Sequence, residues 1–78
     1  MKVTPAQIRA ARALLDISQQ ELADLSKVSL RTIVQAERDA GSVSASIVQA
    51  LVLSLQAAGV EFIPENGGGP GVRLARRA

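Results

Sequence analysis

Residues 18–37 read SQQELADLSKVSLRTIVQAE, and the two serines that open its halves decide the fold. Ser18 is followed three residues later by Glu21, the spacing of a capping box: the hydroxyl accepts from the Glu21 amide while the carboxylate reaches back to the Ser18 amide. Ile17 and Leu22 flank that cap as a hydrophobic staple. Ser29 offers a second N-cap, with Val28 and Ile33 in the same flanking positions. The two starts leave room for about two turns of helix and a connection of about three or four residues. The stretch is therefore predicted to form two short helices joined by a tight turn, a pattern that a helical hairpin in an unrelated bundle also satisfies.

Upstream, Thr4-Pro5-Ala6-Gln7 announces a first helix over about 5–15, with Thr4 as cap, Pro5 pre-setting the first turn and Gln7 completing a second capping box. Its apolar stripe is Ile8, Ala11 and Leu15, with Ala10 and Leu14 alongside and Arg12 on or beside it. The second helix, about 19–25, is expected to bury Leu22, Ala23 and Leu25. In the third, about 30–39, a 100° step gathers Ile33, Ala36, Glu37 and Ala40 on the core side. Arg31, Gln35 and Arg38 then point away, with Leu30 and Val34 on the border. Gly41 and Ser42 to Ser44 stop that helix, and Ser44 caps a fourth over about 45–58. This last helix is apolar at Ile47, Val48, Leu51, Val52 and Leu55, a width that suggests burial on more than one side, and Leu53 beside them is expected to face a second subunit.

After Gly59 the character changes. Val60-Glu61-Phe62-Ile63-Pro64 has strand composition, Glu65 to Pro70 is a glycine-rich loop, and Gly71-Val72-Arg73-Leu74-Ala75 is fit for a second strand. An isolated two-stranded hairpin is marginal in water, so this one is expected either to lie on the helices or to add to the same hairpin of another subunit. The glycine run is followed by no Gly-Lys-Ser/Thr and opens no helix, which argues against a phosphate-binding loop.

The composition removes whole classes of chemistry. A chain of 78 residues without cysteine or histidine has no disulfides, no thiolate nucleophile, no imidazole acid or base and few routes to a zinc site. No metal or cofactor is expected. No paired carboxylates or nucleophile and base stand out, so an enzyme is the weakest reading. No apolar run is long enough to span a bilayer, and a reducing, cytoplasmic setting fits. The net charge of +2 permits an anionic partner without demanding one; the cations are spread through the helices at Arg9, Arg12, Arg31 and Arg38 and crowd at Arg73, Arg76 and Arg77. A chain this short buries only about 60 % of its unfolded surface, which invites help from a partner subunit.

From Ile8 to about Leu55 the chain resembles the phage-repressor and Cro-like helix-turn-helix domain, the XRE family. The resemblance is carried by Arg12, by Ser18-Gln19-Gln20-Glu21-Leu22-Ala23, by Ser29-Leu30-Arg31-Thr32-Ile33 and by Glu37. Taken with the strand pattern after Gly59, it leads to the expectation of a mainly α fold of four helices with a C-terminal β-hairpin or strand pair: a DNA-binding domain over 1–58 and a β tail over 59–78 in place of the family's usual fifth helix. It implies that Gln19 and its helix N-terminus grip a phosphate. Ser29 and Thr32 would give hydroxyls to the backbone, Arg38 would meet a phosphate, and Arg31 and Gln35 would read bases. Leu30 and Val34 would meet thymine methyls or pack on the protein, and Arg12 and Glu37 would form a structural ion pair between helices 1 and 3.

The turn departs from the family pattern, because Lys27 stands where glycine is common. It is expected either to adopt a left-handed conformation at some cost or to force another turn shape. The tail, Gly-Val-Glu-Phe-Ile followed by Gly-Val-Arg-Leu, is like that of similar small regulators, where it serves oligomerisation. Leu51 and Leu55 with Val60, Phe62, Ile63, Val72 and Leu74 are the candidates for a homodimer contact. The leading function is thus a homodimeric, sequence-specific transcriptional regulator bound to double-stranded DNA. The competing one is an antitoxin or antiactivator that uses the same scaffold to bind a protein.

Overall fold

The computed structural model describes residues 2–75; Arg76 and Arg77 lie outside the described residues. Four helices, α1 (Pro5–Leu15), α2 (Gln19–Ser26), α3 (Leu30–Arg38) and α4 (Ala45–Ala57), precede two strands, β1 (Val60–Ile63) and β2 (Gly71–Leu74). Each helix starts where its hydroxyl cap stands. Thr4 and Ser18 both complete capping boxes, and Ser29 and Ser44 accept from Thr32 N and Ile47 N. Because a cap satisfies an amide that would otherwise lack a partner, these four residues fix the helix starts locally.

The staple residues then steer the helices into one core. Val3, Ile8, Leu22, Val28 and Ile33 are buried together with Ala11, Ala36, Leu51, Val52 and Leu55. Three expectations about the helices fail. Leu25 is 54 % exposed, because Leu22 and Ala23 set the inward direction of α2 and Leu25 falls about 110° round the helix from it. Ser26 takes the inward place instead and donates to the Leu22 carbonyl at 2.7 Å. Leu14 and Ala10 are likewise exposed on α1, outside a stripe of Gln7, Ile8 and Ala11. Ala40 belongs not to α3 but to a 3-10 turn, Ala40–Ser42, which Asp39 caps by accepting from Gly41 N at 3.0 Å.

Gly59, at φ +114°, turns the chain out of α4 in a conformation that an L side chain rarely adopts. The strands that follow pair antiparallel within the chain, Val60 opposite Leu74 and Phe62 opposite Val72. Their inward side chains finish the helical core, with Val60 and Phe62 buried in the same cluster. On the other face Arg73 Nε and Glu61 Oε1 pair at 2.5 Å, and that hydrogen bond holds the Glu61 carboxyl below its usual range. The pair is exposed and contributes little to stability.

What docks the hairpin is Gln7. Its Nε2 donates to the carbonyls of Ile63 (3.2 Å) and Gly71 (3.0 Å), one from each strand, while its Oε1 accepts from Thr4 N at 2.9 Å. A residue that caps α1 thereby closes the hairpin onto α1. Of the residues expected at a subunit contact, Leu51, Leu55, Val60 and Phe62 are buried inside the chain's own core. They have no apolar surface left for a partner.

Candidate nucleic-acid interface

The third helix is mounted through its one buried acid. Glu37 is only 3 % exposed, yet its carboxylate is fully engaged: Arg12 Nε reaches Oε2 at 2.6 Å and Arg12 Nη2 reaches Oε1 at 2.9 Å. Such a two-point fork fixes direction as well as charge. Arg12 Nη1 also donates to the Ile17 carbonyl at 3.2 Å, so one guanidinium ties α1, the α1–α2 turn and α3 together. Hydrogen bonding to Glu37 raises the Arg12 pKa against the opposing effect of burial. Two further donors join the mount, Gln19 Nε2 onto Glu37 Oε1 at 3.1 Å and Arg9 Nη1 onto the Glu37 carbonyl. Sequence reasoning missed both, since nothing in local spacing links residues 9 or 19 to 37.

The opposite side of α3 is open. Leu30, Arg31, Gln35 and Arg38 are exposed, and Thr32 and Val34 are half-buried. Among the described residues neither Arg31 nor Arg38 has a carboxylate partner. Two guanidinium groups thus stand on a rigid helix with their donors uncommitted.

The small polar groups are more constrained. Ser29 Oγ donates to Thr32 Oγ1 at 2.8 Å and accepts from Thr32 N at 3.2 Å, so its proton is spent, whereas the Thr32 proton is not. Gln19 does begin α2, but one of its amide hydrogens is committed to Glu37. Gln35 Nε2 donates to Ser42 Oγ at 2.9 Å, a contact that no helical periodicity reveals. The turn that presents α3 takes the left-handed route: Lys27 has φ 63°, ψ 19°, and its amide donates to the Ala23 carbonyl at 2.9 Å.

α2, the Lys27 turn and α3, locked to α1 through Arg12 and Glu37, form a helix-turn-helix. A family model described as Helix-turn-helix, HTH_3, matches residues 8–58. The chain belongs to the XRE-like helix-turn-helix family. The match runs from Ile8 to Ala58 and leaves the hairpin outside it. No curated protein matches the chain. As a member of this family the protein is a DNA-binding transcription regulator. Among the described residues no helix is long and apolar enough to cross a membrane. A surface cavity of about 590 Å³ between the N-terminal segment, the 3-10 turn and α4 has Lys2 as its single charged lining residue, and no outward residue of α3 lines it.

Proposed function

We propose that the chain acts as a homodimer in which each α3 enters the major groove and reads a half-site. The supporting observation is the outward face of α3, where Arg31, Gln35 and Arg38 project from a helix whose inner face is fixed by Arg12 and Glu37. Arg31 and Gln35 are the base readers: a guanidinium forks onto guanine and a carboxamide onto adenine. Arg38 and the free hydroxyl proton of Thr32 serve phosphates, and Leu30 and Val34 meet thymine methyls. At the start of α2, Gln19 and the neighbouring amides face a further phosphate. In such a dimer the two copies of α3 would meet half-sites about 34 Å apart on one face of the duplex.

The homodimer reading rests on apolar side chains still in contact with water away from α3. Leu53 on α4 and Leu74 on β2 are each 54 % exposed, and Ile63 and Val72 are partly so. A cytoplasmic setting accords with this function. Selection of bound sites from random DNA tests the whole reading: an enriched two-fold sequence is expected. Arg31→Ala should then lose about 1–3 kcal/mol on the selected site and little on random DNA. Equal losses on both would refute the assignment of Arg31, and no enrichment together with a stable heteromer from cells would favour a protein-binding role.

A further inference from the structure

Ser42 sits in the 3-10 turn beyond α3 and reaches back to a base-reading side chain. Its hydroxyl carries one proton, and that proton is given to the Asp39 carbonyl, 2.7 Å away. Only lone pairs then remain on Ser42 Oγ, so the Gln35 group 2.9 Å from it has to be the amide nitrogen. The turn itself is held by Asp39, whose side chain accepts from Gly41 N at 3.0 Å and whose carbonyl accepts from Ser42 N at 3.0 Å. Ser42 is thus a fixed acceptor on a capped turn.

We propose that Ser42 is a specificity-determining positioning residue: it locks the Gln35 carboxamide in one of its two orientations. The proposal rests on Gln35 facing bases, as set out above. A free glutamine amide flips at little cost, and its two ends read opposite chemistry. With Nε2 held by Ser42, Oε1 is the end left to accept, and the second N–H beside it remains to donate. That pair matches adenine, which offers N6–H₂ as donor and N7 as acceptor in the major groove. Guanine offers only the acceptors N7 and O6 there, and meeting both would require the amide to turn away from Ser42. The latch therefore favours adenine and disfavours guanine at one base pair.

The test measures binding of the full chain to its selected site and to the adenine-to-guanine variant at each position, for the wild type, Ser42→Ala, Ser42→Thr and Gln35→Ala. Wild type should prefer adenine about tenfold at one position. Ser42→Ala should reduce that preference to within about threefold by gaining on guanine, with the other positions unchanged. Ser42→Thr keeps the hydroxyl and should keep the preference. A Ser42→Ala protein that melts like the wild type and retains full adenine preference would overturn the latch while leaving Gln35 as a reader. A site profile unaltered by Gln35→Ala would overturn the latch and the base-reading role of Gln35 together.

Discussion

Lys27 spends conformational energy where glycine would spend none. At φ 63° its Cβ crowds the following carbonyl, at a cost on the order of 1 kcal/mol that is partly offset by the smaller freedom of lysine in the unfolded chain. Lys27→Gly should stabilise the domain by about 0.5–1 kcal/mol, raising the Tm by roughly 2–8 °C in a thermal melt. An unchanged or lower Tm would mean that the lysine side chain contributes something beyond its backbone. Arg12 is the opposite case, a residue whose removal strands a buried charge. Arg12→Ala should cost about 2–3 kcal/mol in urea unfolding, below the usual figure for a buried pair because the arginine is 20 % exposed. Replacing both Arg12 and Glu37 by methionine should recover most of that loss, since no unpaired carboxylate remains. Both residues were legible in the sequence, Lys27 as a non-glycine at a turn and Arg12 as a cation beside an apolar stripe. The donors from Arg9 and Gln19 were not, because they depend on how α1 and α2 lie against α3 rather than on spacing along the chain.

The helices were readable because their signals are local. A cap, its partner three residues on and the staple around it fall within one turn, so Thr4, Ser18, Ser29 and Ser44 name their helices without reference to the rest of the chain. Leu25 was misread for the converse reason: which side of an eight-residue helix is inward depends on its neighbours, and hydrophobicity alone favours the leucine over Ser26. The strands were legible from composition, yet their docking was hidden in Gln7, whose cap role already accounted for it. Gln7→Met keeps the bulk but leaves the Thr4 amide and two strand carbonyls without their partner, at an expected cost of about 1–3 kcal/mol. Hydrogen exchange should speed up in β1 and β2 more than in α2 and α3. Uniform acceleration would show that the hairpin and helices open as one unit.

For the whole molecule, the hairpin belongs to the structure of the monomer. Cutting the chain after Ala58 removes Val60 and Phe62 from the core cluster and should abolish a cooperative melt, so loss of dimer in that fragment would say nothing about the interface. The intact chain with Leu53→Asp and Leu74→Asp is the better probe, because both side chains are 54 % exposed and neither belongs to the core cluster. Light scattering should show the dimer weakened with the Tm of the monomer kept; an unaffected dimer would place the contact elsewhere. The bonds of Gln7 also impose an order on synthesis. Gly71 lies 64 residues further along than the amide that binds it, so the helices are made long before the second strand exists. A nascent chain leaving the ribosome therefore holds an unfinished core, and a Gln7 amide without its strand partners, until residues 71–74 emerge. Premature termination in the loop before Gly71 would release a chain with all of the residues proposed to face DNA but no closed fold, which the cell's proteases would meet as an unfolded substrate.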